Sequence, residues 1–226
     1  MTYDDRTKKL LGEDNFGKLK SFNICVIGLG GVGSIVPIAL VRSGIVNLTI
    51  IDRDVVDSSN LNRQIAYEEN DIGLLKSEAL KRKLNFIRKN VNIVANPLSI
   101  DDNFDFNILK QFDYVCDCID DIKAKILLIS YCINNGINII SSLGMGNRID
   151  PSNIVVTKLN KTTIDPLAKK LRYELRKENV DIDKINVVFS KNEPIIKSNV
   201  VSSMVFVPNS AGLLMASFVI EDLLKK

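Results

Sequence analysis

Phe22-Asn-Ile-Cys-Val-Ile27, Gly28-Leu-Gly30-Gly31-Val-Gly33, an apolar run at helical spacing from Val32 to Arg42, and Leu48-Thr-Ile-Ile-Asp52 together decide the fold. The first and last segments are β-branched and apolar throughout, as strands of a parallel sheet buried on both faces must be. The segment between them stops at Ser43-Gly44, so residues 22–52 read as a βαβ unit. Pro37 lies inside the expected helix and predicts either a kink or a late start. The glycines fit G-x-G-x-x-G directly after a strand, where they allow a tight turn and let backbone amides approach phosphate oxygens at the positive end of a helix. Gly28, Gly30, Gly31 and Gly33 are therefore nucleotide-binding candidates. Asp52 ends the second strand at the spacing where a carboxylate accepts hydrogen bonds from ribose hydroxyls, although a cap or turn acid would look the same.

The pattern continues outward. Lys76 to Lys89 reads as an amphipathic helix with Ala79, Leu80, Leu84 and Ile87 inward, and a strand is expected near Val91 to Ala95. Tyr114–Asp117, Ile122–Asn135 and Asn138–Ser141 repeat strand, helix, strand, with Gly136 closing the helix. After Gly144-Met-Gly146 a strand near Ile154–Lys158, a helix over Pro166–Lys177, a strand at Val187–Phe189 and a closing helix from about Ala211 to Leu224 are expected. The predicted fold class is α/β: a Rossmann-like, doubly wound, mostly parallel sheet with a C-terminal substrate-side extension. No flexible linker divides the chain, so 1–226 reads as a single domain: an N-terminal arm over 1–20, a nucleotide-binding core over 21–143 and the extension over 144–226.

At 226 residues the chain can bury a core without disulfides or structural metal. An apolar share of 46% with 25% charged residues is ordinary for a globular protein, and no run approaches eighteen uninterrupted apolar residues. The polar, acidic Met1-Thr-Tyr-Asp-Asp-Arg6 does not resemble a signal peptide, and a cytoplasmic location is expected. Cys25, Cys116, Cys118 and Cys132 lie in or beside apolar runs without a C-x-x-C pair and read as buried thiols. With no histidine, chemistry must rest on carboxylates, Arg, Lys, backbone amides and a bound metal. The net charge of +3 leans toward polyanionic partners and excludes neither ATP nor RNA.

The glycine turn and Asp52 would serve a nicotinamide dehydrogenase equally well. The continuation of the chain, Asp52-Arg-Asp54-Val-Val-Asp57-Ser-Ser-Asn60-Leu-Asn62-Arg63-Gln64, argues against that. Arg63 can clamp phosphate through its planar fork and Asn60 and Gln64 can orient it, whereas a hydride carrier needs no triphosphate clamp. Lys76, at a helix start after Gly73-Leu-Leu75, is a second cation for phosphates or a solvated surface lysine. Asp120 in Cys118-Ile-Asp120-Asp121 falls at the carboxyl edge of the sheet, where an acid can hold Mg²⁺ beside phosphates or cap a helix.

These motifs in order, Gly-x-Gly-Gly-x-Gly, Ile-Asp52-x-Asp54-x-Val, Ser59-Asn60-Leu-x-Arg63-Gln64, Gly73-x-x-Lys76 and Cys-x-Asp120, resemble the ubiquitin-activating-enzyme-like adenylating superfamily. The resemblance implies ATP-dependent adenylation of a carboxylate, with Asp52 on the ribose, Asn60, Arg63 and Lys76 on the phosphates and Asp120 on Mg²⁺. It also implies a homodimer in which Arg6 reaches the partner's site. The second half, with Gly144-x-Gly146-x-x-Ile149-Asp150-Pro151, Thr163-x-Asp165-Pro166-Leu167-Ala168-x-Lys170-Leu171-Arg172 and Val188-Phe189-Ser190, is most similar to the tRNA threonylcarbamoyladenosine dehydratase branch.

That branch implies closure of the threonylcarbamoyl group on adenosine 37 of tRNA into its cyclic form through an acyl-adenylate, and leaves sulfur-transfer proteins open as partners. The alternative is an adenylyltransferase for the C-terminus of a ubiquitin-like sulfur carrier; such relatives carry paired C-x-x-C motifs, which are missing here. Residues around Val180 to Ser210 look short for the dehydratase pattern. The basic residues Lys158, Lys161, Lys169, Lys170, Arg172, Arg176 and Lys177 are expected to meet tRNA phosphates, with Lys169, Arg172 and Arg176 near one helix face. Arg148, Lys191 and Lys197 form the second candidate RNA path.

Overall fold

The computed structural model describes residues 2–196 and 201–225; Lys197 lies outside them. Its elements run α1 (Asp5–Leu11), α2 (Glu13–Leu19), β1 (Asn23–Ile27), α3 (Ile35–Ser43), β2 (Asn47–Ile51), α4 (Lys76–Ile87) and β3 (Asn92–Asn96). The second half adds β4 (Tyr114–Asp117), α5 (Ile122–Asn134), β5 (Ile139–Ser142), β6 (Ile154–Lys158), α6 (Pro166–Lys177), β7 (Asn186–Ser190) and α7 (Phe206–Leu224). Among the described residues the strands form one seven-stranded sheet in the order β3-β2-β1-β4-β5-β7-β6, parallel except for β6 against β7.

Alternate residues of β1 feed opposite layers. Ile24 and Val26 join a core with α3, α4 and α7, while Cys25 and Ile27 join a second core with α5 and α6. This is the period-2 consequence of a strand whose two faces are both covered. The extension is no separate layer: β7 pairs directly with β5, β6 closes that edge, and α7 packs across α3.

Of the two outcomes Pro37 allowed, the late start is the one observed: the helix after the glycine turn begins at Ile35, which places Pro37 in its first turn, where a missing N–H costs nothing. The closing helix begins at Phe206, earlier than Ala211, because Pro208 is tolerated in a first turn as well. Residues 1–20 are two short helices: α2 sinks Phe16 and Leu19 into the fold, while α1 buries no side chain fully and is tied down by an Asp4–Arg88 ion pair of 2.7 Å. By composition α7 is long and apolar enough to cross a membrane, but half of it is buried against the sheet and α3.

Candidate active site

The strand order reverses between β1 and β4, and ligands of doubly wound sheets bind in the crevice outside the carboxyl ends at such a point. Register puts those ends level, Ile27 opposite both Ile51 and Asp117. The turn that leaves β1 must be glycine at its two ends. Gly28 has φ +85°, and a Cβ on it would lie 2.8 Å from the Cys118 carbonyl; one on Gly33 would lie 1.8 Å from the Gly28 oxygen. Gly33 is thus a packing glycine, and Gly28, Gly30 and Gly31 line the cavity above the turn.

That cavity measures about 1240 Å³ and brings together Asp52, Asp54, Asn60, Arg63 and Gln64 from the β2–α4 connection, Lys76 from the start of α4 and Asp120 from the β4–α5 loop. Asp52 Oδ2 accepts the Leu29 N–H at 2.5 Å and Oδ1 the Asp54 N–H at 2.7 Å, which fixes the carboxylate while each oxygen keeps a lone pair for a hydroxyl. Burial pushes its pKa above the usual carboxylate range, and those two N–H donors oppose the shift only partly. Lys76 is 6% exposed, so the solvated alternative is gone; its ammonium sits 3.0 Å from Asp54 Oδ2.

Asn60 and Asp57 close a reciprocal cap around the turn at Ser58–Asn60, so the Asn60 side-chain Oδ1 is already engaged with the Asp57 N–H. Arg63 spends Nη1 on the Ser59 carbonyl (2.7 Å) and Asn62 (2.9 Å); its Nε and Nη2 make no hydrogen bond among the described residues. The Gln64 Oε1 is buried and unpartnered among the described residues. Asp120 is exposed to the cavity and makes no hydrogen bond or ion pair among the described residues. Mg²⁺ bound with a triphosphate uses one or two carboxylates and completes its shell with phosphates and water, so Asp120 fits that ion. Among the described residues no cluster of three metal-binding side chains exists that would suit a resident zinc. Arg6 stands exposed on α1 and does not line the cavity of its own chain.

Sequence reasoning missed several residues here. Arg148 is 6% exposed and donates to the carbonyls of Gly144, Gly146 and Asn192, which rigidifies the far wall and removes it from any RNA path. Asp165 accepts from the Gly144 and Ala168 amides, joining that wall to the start of α6. Asn209 on α7 donates to the Arg63 carbonyl at 2.7 Å. Beneath Asp120, Lys125, Asp117 and Ser141 form a buried cluster whose signal was a lysine on the apolar stripe Ala124, Leu128, Ile129, Cys132.

The four thiols are unpaired, and burial pushes the pKa of each upward, that of Cys132 to about 12, so none is a thiolate near neutral pH. On α6, Arg172 departs from expectation. It is half-buried and tied to the Thr162 hydroxyl and carbonyl, while Lys169, Lys170 and Arg176 remain exposed.

Residues 3–217 match the ThiF family. The chain belongs to that family. Among ThiF relatives, it is 33% identical over 243 aligned positions to the tRNA threonylcarbamoyladenosine dehydratase of Bacillus subtilis, covering 97% of this chain and 94% of that one. It is 42% identical over 172 residues to the enzyme of the same name from Haemophilus influenzae, covering 75% of this chain and 66% of the relative. The crystal structure of E. coli tRNA N6-threonylcarbamoyladenosine dehydratase, TcdA, in complex with ATP superposes with a TM-score of 0.92 at 32% identity, over 97% of this chain and 93% of that one.

Proposed function

We propose that this ThiF-family protein is an ATP-dependent tRNA threonylcarbamoyladenosine dehydratase. The observation that carries the reading is likeness along nearly the whole chain to the Bacillus subtilis dehydratase, over a cavity that gathers a glycine turn, a ribose-type acid, two cations and a free carboxylate. A threonyl carboxylate oxygen attacks the α-phosphorus of ATP, the bond to the bridging oxygen breaks, and pyrophosphate leaves. Attack from within the same modified nucleoside on the acyl carbon then closes the ring and expels AMP, with net loss of water.

Each residue has a task in that sequence. The Gly30 and Gly31 amides and the free nitrogens of Arg63 hold phosphate oxygens, and Lys76, poised by Asp54, neutralises charge that builds on the leaving pyrophosphate. Asp52 orients the ribose, and Gln64 and Asn60 the phosphate chain. Asp120 would hold Mg²⁺, whose chemistry is to neutralise the phosphates and favour attack at phosphorus. Because the acyl-adenylate already carries its leaving group and its nucleophile, no enzyme thiol is needed, in keeping with four thiols whose pKa values are all pushed upward.

Pairing into a homodimer that places Arg6 in the partner's cavity is supported by α1, which buries no side chain fully and leaves Leu10 83% exposed. A tRNA substrate supports a cytoplasmic location. The absence of paired C-x-x-C motifs disfavours activation of a sulfur-carrier C-terminus.

The test is nucleoside mass spectrometry of tRNA bearing the threonylcarbamoyl group, incubated with the protein, ATP and Mg²⁺. The expected product is lighter by one water and appears with AMP and pyrophosphate. An unchanged nucleoside, with pyrophosphate exchange provoked instead by a small carrier protein, would reverse the assignment.

A further inference from the structure

A buried charged cluster beneath the cavity has no part in the steps above. The side chains of Lys125 and Asp117 are both 0% exposed, with Lys125 Nζ 2.7 Å from Asp117 Oδ2. The ammonium also donates to Ser141 Oγ at 3.0 Å, and the Ser141 hydroxyl donates to Asp117 Oδ2 at 2.6 Å. The register that sets Asp117 beside Ser141 across β4 and β5 places both acceptors under the first turn of α5, where Lys125 descends. Two charges taken wholly out of water seldom improve on a well-packed apolar pair, so stability alone gives little reason to keep them.

The other oxygen of the same carboxylate supplies a reason. Asp117 Oδ1 accepts the Ile119 N–H at 3.1 Å. The Cys118 N–H is held by the Ile27 carbonyl at 2.8 Å, and the Cys118 carbonyl abuts Gly28 so closely that no Cβ fits between them. The turn Cys118-Ile119-Asp120 is thereby pinned at its first two residues, and Asp120, which has no partner of its own among the described residues, stands in the cavity where the pinned turn puts it. The ion pair holds the Asp117 carboxylate in one orientation; without Lys125 a buried carboxylate would be left without its charged partner and would turn.

We propose that Asp117, Lys125 and Ser141 are positioning residues that hold Asp120 at the phosphate end of the cavity, an inference that rests on the reading of Asp120 as the Mg²⁺-binding acid. The test compares Asp117→Leu/Lys125→Met, which removes both charges and the acceptor for Ile119, with Asp117→Asn/Lys125→Met, which removes the charges and keeps an acceptor. Binding of Mn²⁺ to the complex with a non-hydrolysable ATP analogue is followed by electron paramagnetic resonance, beside kcat and KM.

The first variant should stay folded, bind Mn²⁺ about tenfold more weakly and lose about a hundredfold in kcat, with KM for ATP within about threefold of wild type. The asparagine variant should recover only part of the loss, because the acceptor for Ile119 returns without the ion pair that orients it. In an Asp120→Ala background neither replacement should weaken Mn²⁺ binding further, because the effect runs through Asp120.

Should the double variants not fold, Ser141→Ala, which keeps the ion pair, carries the test with an expected loss of about threefold in Mn²⁺ affinity. Wild-type Mn²⁺ affinity and kcat in a folded Asp117→Leu/Lys125→Met protein, or in Ser141→Ala if that alone folds, would overturn the proposal. So would an asparagine variant no better than the leucine one. Wild-type Mn²⁺ affinity in Asp120→Ala alone would instead remove the reading of Asp120.

Discussion

Asp52 differs from an ordinary surface aspartate because burial raises its pKa. Ribose hydroxyls bind its ionised form, so ATP affinity should fall as pH drops through that raised value, at a higher pH than a solvent-exposed aspartate would dictate. Asp52→Asn should bind more weakly at neutral pH and lose the dependence; ATP titration from pH 4 to 8 checks both, and a wild-type affinity that is flat with pH counts against the ribose role. The stability contribution of the same group has the opposite sign. The folded form holds its proton to higher pH than the unfolded chain, so this group's contribution is fully present below the unfolded pKa and is lost as pH rises through the folded one. Arg63→Ala and Asp120→Ala should each leave the fold intact and cost at least about 3 kcal/mol of transition-state stabilisation, read from kcat/KM. Half of wild-type activity in either would remove that residue from the site.

At the scale of an element, α6 shows how one helix serves two sides. Ala168, Leu171 and Leu175 bury one stripe beside α5, and Asp165 caps the first turn through the Ala168 N–H at 3.0 Å while also accepting from Gly144. Asp165→Ala should therefore cost about 1–2 kcal/mol as a lost cap, seen as a lowered midpoint in urea unfolding, and should loosen the cavity wall at Gly144. The opposite stripe exposes Lys169, Lys170 and Arg176. Charge reversal at these three should weaken tRNA binding several-fold and flatten its salt dependence, because fewer phosphates release counterions, while ATP affinity stays put. Equal salt slopes in a filter-binding titration would make this face solvated surface and turn the search to Lys191.

For the whole molecule the open element is α1. A seven-residue helix is marginal without packing, and α1 is held within its own chain by Leu11 against the core and the Asp4–Arg88 ion pair, with no side chain fully buried. The proposed two-fold dimer would cover its exposed face, Leu10 included. Light scattering at micromolar concentration should give twice the chain mass, and Arg6→Ala should lose turnover without losing ATP binding or the dimer. A monomer with full activity would end the idea, and full activity after removal of residues 1–12 would show that α1 has no catalytic task.

The sequence by itself determined the βαβ start, the order of the later elements and a set of nucleotide-site candidates that, apart from Gly33 and Arg6, line the cavity, because glycine turns, apolar strands and charged loop motifs are local patterns. Even the late start of α3 was implicit in Pro37. Tertiary structure alone decided the rest. Lys76 reads as a surface lysine until the chain beyond Val55 folds back to place Asp54 against it. Arg172 and Arg148 read as free cations until Thr162 and the carbonyls of Gly144, Gly146 and Asn192 engage them. Lys125 meets Asp117 and Ser141 only because β4 and β5 lie side by side in one register. Whether a charge is free, paired or buried depends on partners brought close by the sheet, and no local pattern in the chain carries that information.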